Sequence, residues 1–215
     1  KLVDRGVPVL RIGNPSRVND KMLSFTYERR FEGHPAYTEL WGIRKSIREM
    51  GNRMRKSSYS EREAARSRIN HLRERATELE IQINEDLFSG ARVIASTLVS
   101  SNHRILTGRR FTTLFIDEAA QALEAACWIA IRKADRVIFA GDHCQLPPTI
   151  KCIEAARNGL EQTLMEKVAA NKQETVSLLK VQYRMHQSIM QFSSEWFYQG
   201  ELQAAPEVTN RGILD

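Results

Sequence analysis

The sequence is short of several features that mark particular classes of protein. It has only three cysteines, Cys127, Cys144 and Cys152, among 215 residues. Their number and spacing suit neither a zinc site nor a disulfide framework, which favours a reducing compartment, the cytoplasm or, in a eukaryote, the nucleus. No apolar run approaches the roughly 18 residues of a membrane span, and no signal peptide opens the chain. These absences argue against secreted proteins and membrane proteins.

The chain also lacks an initiator methionine and begins at Lys1, so we expect it to be a piece of a longer protein. Its hydrophobic fraction of 42% and charged fraction of 27% are ordinary for a globular domain with a substantial core. Lys and Arg number 32 against 26 for Asp and Glu, a net charge of +6. This excess is compatible with a polyanionic partner but does not require one.

Short apolar segments rich in Val, Ile or Phe predict β-strands at 7–13, 91–97, 112–117 and 136–142, with a fifth candidate at 175–181. Three of them lack polar alternation, which is typical of strands buried on both faces of a parallel sheet. Helical stretches are predicted near 118–133, 159–171 and 186–198. This order favours an open α/β sheet, in which ligands bind beyond the carboxyl ends of the strands.

The segment from Thr38 to Leu87 breaks this pattern, because it has no strand signal and many charges. Its apolar residues recur at alternating spacings of three and four, which predicts a heptad seam on each of two helices. The seams are Leu40, Ile43, Ile47, Met50 and Met54, then Ala65, Ile69, Leu72, Ala76, Leu79 and Ile83. Ser60 followed by Glu63 predicts a capping box at the start of the second helix. We expect an antiparallel helical hairpin, 38–87, inserted into an α/β domain formed by 1–37 and 88–215.

Much of the positive charge lies in this predicted hairpin. Residues 39–80 contain eleven Lys or Arg and seven Asp or Glu, a surplus of four. The surplus fits a solvated helix surface. It also fits a positively charged helical arm that lies against a nucleic-acid backbone. Binding of the nucleic acid would then weaken with salt, because phosphate contacts release counterions. The sequence leaves both interpretations open.

Three polar motifs follow predicted strands. TTLFID ends in Asp117 and is followed by Glu118, the form of a strand that holds magnesium beside a nucleotide, although a helix-capping Asp explains the pair equally well. RVIFAGD runs into GDHCQLPP, which holds Gln145 near the same sheet edge, where its amide can bond a phosphate and the attacking water; a solvated turn is the alternative. QYRMH offers the guanidinium of Arg184 to phosphate and the ring of Tyr183 to a base, or is an ordinary surface turn.

In this order, DEAAQ, GDHCQLPP and QYRMH resemble motifs II, III and IV of superfamily 1B helicases, in the branch of the nonsense-decay helicase and most closely of the immunoglobulin-mu-binding-protein type. The resemblance covers most of the chain. It continues through RIGNPSRV (11–18), ASTLVSS (95–101), ALEAACWI (122–129) and the segment AARNGLEQTLMEK. It implies a partial RecA-like domain of the phosphate-loop NTPase type, with a parallel sheet and a helical insertion. It also implies ATP-driven movement, 5′ to 3′, along single-stranded DNA or RNA.

The resemblance implies ATP and Mg²⁺ as cofactors and a role for each matched residue. Asp117 and Glu118 would hold Mg²⁺, and Glu118 would also act as the catalytic base. Gln145 would sense the terminal phosphate, Arg184 would stabilise charge on the transferring phosphoryl group, and Tyr183 would stack near the adenine. Among nucleic-acid contacts, Ser96 and Thr97 match one strand-contacting motif, and Pro15 and Ser16 lie in a segment like a neighbouring one.

One required feature is missing from the sequence. Phosphate-loop enzymes need a glycine-rich loop ending in Gly-Lys-Ser or Gly-Lys-Thr, and neither SGAR (89–92) nor TGRR (107–110) supplies it. In the resembled family this loop lies upstream of the matching region, and a second RecA-like domain lies downstream. We therefore interpret the chain as the later part of a first motor domain and expect the isolated piece to be inactive.

Two other functions stay open on the sequence alone. A non-catalytic nucleic-acid-binding module with a decayed motor is the first, against which the intact Asp117, Glu118, Gln145 and Arg184 argue. The second is a metal-dependent nuclease using Asp117, Glu118 and Asp142, although nucleases typically need a larger carboxylate cluster around two ions.

Overall fold

The structure of the protein, a computed structural model, describes residues 2–14, 20–54 and 59–212. It divides into two compact units, residues 1–109 and residues 110–215. In the described part of the chain, no helix combines the length and the apolar character that a membrane crossing requires.

In its described residues, 2–14, 20–54 and 59–109, the first unit contains a short parallel strand pair and four helices. Strands β1 (Val9–Arg11) and β2 (Val93–Ala95) pair in parallel, with Leu10 opposite Ile94. The helices are α1 (Asp20–Leu23), α2 (Tyr27–Glu32), α3 (Tyr37–Met54) and α4 (Tyr59–Ser89). Short 3₁₀ turns lie at Val3–Arg5, Ser100–Asn102 and Arg104–Leu106.

Helices α3 and α4 pack through the residues of the two predicted seams. All eleven seam residues are buried or half-buried. The buried apolar cluster at the contact is Leu40, Ala76, Leu79 and Ile83. Ion pairs join Arg75 to Glu39, at 3.0 Å, and Arg44 to Glu80. Because exposed ion pairs contribute little, the apolar cluster is the main stabilising contact between the helices.

Helix α4 runs for 31 residues without glycine or proline and is rich in Arg, Glu, Leu and Ala, which favour helix. It already includes Ser60, but the side chain of Ser60 lies outside what the structure describes, so the predicted capping box stays a prediction. Residues 55–58 between the two helices lie outside the described ranges. The assignment of 38–87 as an inserted hairpin, and of the rest as one α/β domain, therefore stays a prediction.

The second unit begins with a βαβ arrangement, in which a helix links two parallel strands. Strands β3 (Phe111–Ile116) and β4 (Ala134–Phe139) pair in parallel and are linked by a 3₁₀ turn (Ala119–Gln121) and helix α5 (Glu124–Ile131). Beyond them lie α6 (Ile153–Ala155), a π turn (Ala156–Leu160), α7 (Leu164–Asn171) and a 3₁₀ turn (Gln173–Thr175). Strand β5 (Val181–Gln182), helix α8 (Gln187–Phe197) and strand β6 (Gln203–Ala204) follow, with β5 and β6 parallel.

The strands are parallel as predicted, but they do not form one sheet. In residues 2–14, 20–54 and 59–212 they make three separate two-stranded sheets, β1–β2, β3–β4 and β5–β6. The expectation that the strands are buried on both faces is wrong for β3 and β4. Phe115 is 69% exposed and its paired neighbour Ile138 is 39% exposed. Residues opposite each other in a parallel pair lie on the same face, so one apolar face of this sheet is open.

Two other predicted elements are shorter than expected. The fifth strand candidate, 175–181, is a strand only from Val181, because its partner β6 is two residues long and supplies a ladder for only two residues. The helix expected near 118–133 is interrupted, because Ala122 and Leu123 have extended backbone angles between the 3₁₀ turn and α5, which begins only at Glu124.

Candidate active site

Asp117 and Glu118 form the turn at the carboxyl end of β3. Both side chains are exposed, and Asp117 Oδ1 accepts a hydrogen bond from the Glu118 amide at 3.1 Å. Glu118 has φ 53° and ψ 39°. The left-handed conformation costs a residue with a Cβ roughly 1–2 kcal/mol, and such strained residues concentrate at functional sites. This turn is therefore the most strained backbone at the end of the β3–β4 sheet.

The loop after β4 lies against this turn. The Ala140 amide donates to the Ile116 carbonyl at 2.8 Å, and the Ala119 amide donates to the Ala140 carbonyl at 2.9 Å. A Cβ added to Gly141 would lie 3.0 Å from the backbone nitrogens of both Ala119 and Ala120. The structure thus brings the Asp117–Glu118 turn and the start of the GDHCQLPP loop together at one sheet edge.

The contact at Gly141 yields a prediction about stability. We expect Gly141→Ala to lower the free energy of unfolding by about 1–3 kcal/mol, because the new methyl would press on two backbone nitrogens and on Met165 Sδ at 3.1 Å. For a chain of this size the loss corresponds to a fall in Tm of roughly 2–12 °C. Thermal unfolding followed by circular dichroism measures it.

Gly51→Ala is the matched control, since among the described residues no atom beyond its chain neighbours and its own helix backbone lies within 4 Å of the added Cβ, and the residue lies inside helix α3. We expect it to leave Tm unchanged or to raise it, because alanine stabilises a helix by about 0.5–1 kcal/mol relative to glycine. Equal Tm values for Gly141→Ala and the native chain would contradict the close approach of the two turns.

Asp142 is the centre of a hydrogen-bonded cluster in the same loop. Its Oδ1 accepts from the Cys144 amide at 3.0 Å, and its Oδ2 accepts from Gln145 Nε2 at 2.8 Å and from the hydroxyl of Tyr198. Burial by itself raises the pKa of the Asp142 carboxyl, but the bonds from Tyr198, Gln145 and Cys144 outweigh burial and hold the pKa below its ordinary value. Burial, with the Asp142 carboxylate, raises the pKa of Tyr198. Asp142 is thus an ionised acceptor and Tyr198 a neutral donor at neutral pH.

The QYRMH segment is ordered by its own glutamine. Gln182 Oε1 accepts from the amides of Arg184 and Met185, at 2.8 and 2.9 Å, and Gln182 Nε2 donates to the Met185 carbonyl at 2.7 Å. Arg211 Nη1 also donates to the Arg184 carbonyl at 3.2 Å. The side chains of Tyr183 and Arg184 are exposed at the resulting turn.

Tyr183 lines an open groove of about 590 Å³. The other lining residues are Pro206, Glu207, Val208, Asn210 and Arg211. In the described part of the chain, no hydrogen bond or ion pair joins the side chain of Tyr183 or Arg184 to Asp117, Glu118 or Gln145. The residues predicted to form one site thus follow different strands, one group at the end of the β3–β4 sheet and one after β5, and the described residues show no hydrogen bond or ion pair between the two groups.

The predicted nucleic-acid contacts belong to the first unit. Ser96 and Thr97 are exposed directly after β2. The Thr97 hydroxyl donates to Ser100 Oγ at 2.8 Å and accepts from the Ser100 amide at 3.1 Å, so it organises the turn that follows. A Cβ on Gly13 would lie 3.5 Å from Ser100 Oγ, which places the end of the RIG segment beside this turn. Pro15 and Ser16 lie outside the described residues.

The carboxylates at the end of β3 fit a magnesium–nucleotide site. Mg²⁺ beside a nucleotide is typically held by one or two carboxylates, with phosphate oxygens and water completing the shell, so Asp117 and Glu118 suffice. Bound there, the ion would neutralise charge on the phosphates. Asp142 is unsuited, because three donors occupy its oxygens. No group of three or more His, Cys, Asp or Glu side chains that could hold a metal ion exists in the described ranges.

Sequence reasoning did not find Tyr198 or Gln182. Tyr198 lies 56 residues from Asp142, and no spacing rule links the two. Gln182 carries a weak signal, since a glutamine directly before an exposed Tyr-Arg pair can bond the turn it precedes. The close approach of Gly141 to the Asp117–Glu118 turn was likewise not predicted from sequence.

Comparison with known proteins gives two family models and several relatives. One model, described as an AAA domain, matches residues 1–152, and a second, also described as an AAA domain, matches residues 160–214. DNA-binding protein SMUBP-2 of Rattus norvegicus is 34% identical over 213 residues, covering 96% of this chain and 22% of that protein.

Two further relatives are similar over different lengths. An uncharacterized ATP-dependent helicase of Methanocaldococcus jannaschii is 29% identical over 242 residues, covering 96% of this chain and 36% of that protein. A regulator of nonsense transcripts 1 homolog of Drosophila melanogaster is 41% identical over 118 residues, covering 54% of this chain and 10% of that protein. The chain therefore spans less than two fifths of the length of each relative. With the motifs and the model matches together, the chain belongs to the AAA-domain family, among the superfamily 1 helicases of the nonsense-decay and immunoglobulin-mu-binding-protein type.

Proposed function

We propose that the chain is part of an ATP-dependent helicase or translocase that couples ATP hydrolysis to 5′ to 3′ movement along single-stranded DNA or RNA. The observation that carries this proposal is the contact between the Asp117–Glu118 turn and the loop that holds Gln145, at the carboxyl ends of β3 and β4. Ligands of parallel α/β proteins bind at this edge, and a nucleotide with its ion needs carboxylate and amide groups there.

Each matched residue has a role in this proposal. Asp117 holds Mg²⁺, and Glu118 both contributes to the ion site and takes the proton of the attacking water. Gln145 senses the terminal phosphate, and Arg184 stabilises the charge of the transferring phosphoryl group. The exposed ring of Tyr183 stacks near the adenine, beside the groove of about 590 Å³ that it lines.

The two groups of site residues also fit a two-module motor. The match to the first family model ends at residue 152, and the match to the second begins at residue 160. This boundary follows the GDHCQLPP loop and precedes β5 and α8. We therefore place the first RecA-like module up to this point, and the beginning of a second module after it. This placement is an alternative to the interpretation of 1–37 and 88–215 as a single domain, and closure of the two modules on a nucleotide would bring Arg184 to the phosphates. The phosphate loop belongs to the remainder of the parent protein, upstream of the matched region.

The first unit supplies the proposed strand contacts. Exposed hydroxyls at Ser96 and Thr97 can bond a phosphate backbone, with Pro15 and Ser16 in the neighbouring segment. The surplus of positive charge in 39–80 is available to the same polyanion, if the helices lie along it rather than facing only solvent.

The proposal is tested with the full-length protein that contains this chain. We expect phosphate release from ATP to be slow without nucleic acid. It should rise at least about tenfold with single-stranded DNA or single-stranded RNA, because closure on the bound strand completes the catalytic site. The measurement compares both strands with a duplex of the same sequence. Binding of single strands with no ATP hydrolysis would establish the non-catalytic binding module instead, and the strand that stimulates more would identify the substrate class.

A further inference from the structure

The carboxylate of Asp142 connects the loop that carries Gln145 to the end of helix α8. A single oxygen, Oδ2, accepts hydrogen bonds from Gln145 Nε2 at 2.8 Å and from the Tyr198 hydroxyl. A second contact joins the same two segments, because the Cys144 thiol donates to the Phe197 carbonyl at 3.7 Å. The loop and the carboxyl end of α8 are thus tied at two successive positions.

The position of Tyr198 is itself fixed by the fold. Its amide donates to the Ser194 carbonyl at 3.0 Å, and the Gly200 amide bonds the same carbonyl at 2.9 Å. The Leu202 amide donates to Ser194 Oγ at 3.0 Å, and Ser194 is buried. The phenol therefore moves with α8, and a displacement of the helix would shift the hydroxyl that donates to Asp142 Oδ2.

We propose that Tyr198 is a positioning residue that sets the orientation of the Gln145 amide through Asp142. The inference rests on the proposed role of Gln145 in sensing the terminal phosphate. Because one oxygen serves both donors, losing the phenol leaves the Asp142 carboxylate held only by the Cys144 amide, at Oδ1, and by Gln145 itself, so the acceptor of the Gln145 amide is less firmly fixed. The pairing also joins segments that match separate family models, residues 1–152 and 160–214, so movement of the second module would reach the phosphate sensor through this bond.

The kinetic test uses Tyr198→Phe in the full-length protein, since phenylalanine keeps the ring and removes only the hydroxyl. We expect kcat for strand-stimulated ATP hydrolysis to fall about 10- to 100-fold, as for the loss of a hydrogen bond to a charged group, with KM for ATP changed by no more than about twofold. Tyr27→Phe is the matched control, because it removes a hydroxyl that donates to Asn84 at 2.8 Å in the first unit. We expect it to keep native kcat and KM.

A double-mutant cycle separates positioning from structural support. In a Gln145→Ala background, Tyr198→Phe should lower kcat by no more than about twofold further, because a residue that acts only through Gln145 has nothing left to position. An equal fold-loss in the native and Gln145→Ala backgrounds would overturn the proposal.

A second measurement does not depend on ATP hydrolysis. In the ¹⁵N-labelled 215-residue chain, the side-chain amide resonances of Gln145, assigned by their loss in Gln145→Ala, should shift towards those of solvated glutamines in Tyr198→Phe and stay in place in Tyr27→Phe. Unmoved resonances in Tyr198→Phe would overturn the link between the residues. A full-length protein without ATPase activity would instead refute the proposed function, and the resonances would still decide whether Tyr198 orients Gln145.

Discussion

Replacing Glu118 with glutamine is expected to lower strand-stimulated ATP hydrolysis by the full-length protein about 10²- to 10⁴-fold. The amide keeps the shape of the side chain but cannot take a proton from the attacking water. The Asp117 carboxylate is unchanged, so Mg²⁺–ATP should still bind with an affinity within a few-fold of the native value. Steady-state phosphate release measures the first effect, and titration with a fluorescent ATP analogue measures the second.

Glu161→Gln is the matched control for this change, because Glu161 is exposed and lies outside the proposed site. Glu161→Gln removes one negative charge from the second unit, as Glu118→Gln does, and should leave hydrolysis at the native rate. Native-level hydrolysis by Glu118→Gln would remove Glu118 from the role of base. Loss of ATP binding together with hydrolysis would instead make Glu118 chiefly a ligand of the ion.

The second large effect concerns the 215-residue chain by itself, which we expect to release no phosphate from ATP above the rate of the buffer. The chain has no Gly-Lys-Ser or Gly-Lys-Thr sequence, so neither the amide cradle nor the lysine that holds the phosphates is present. Carboxylates and an amide beside an unheld phosphate cannot supply the positioning on which phosphoryl transfer depends.

The assay for the isolated chain compares it with its Glu118→Gln variant and with the full-length protein at equal concentration. Phosphate release by the isolated chain that Glu118→Gln abolishes would contradict the expectation, since it would show a working site without the loop. Release that persists in Glu118→Gln would point to a contaminating ATPase and would leave the expectation standing.

Much of the site could be predicted from sequence because it lies at the ends of strands. Apolar runs ending at Asp117 and Asp142 predicted two parallel strands, and parallel strands bring their carboxyl ends to one edge. The spacing of apolar residues in 38–87 likewise predicted the buried faces of α3 and α4. These are local patterns, in which the period of the backbone decides which side chains share a face.

The failures have a common cause. Phe115 and Ile138 look like buried strand residues, but exposure depends on which other elements cover that face, and periodicity does not contain this information. The candidate strand at 175–181 is apolar enough, but a strand extends only as far as its partner ladder. The broken helix after β3 depends on the backbone angles of Glu118, which are left-handed, and of Ala122 and Leu123, which are extended.

By itself, the sequence indicated the family and predicted the residues for ion, water and phosphate, and it contains no Gly-Lys-Ser or Gly-Lys-Thr of a phosphate loop. Only the tertiary structure decided that Gly141 presses against the Asp117–Glu118 turn and that Asp142 bonds Tyr198 across 56 residues. The reason is physical. Residue types and local periods follow from neighbours in the chain, whereas hydrogen bonds between distant segments exist only once loops and helix ends have been placed. The proposed control of Gln145 by α8 arises from such a bond.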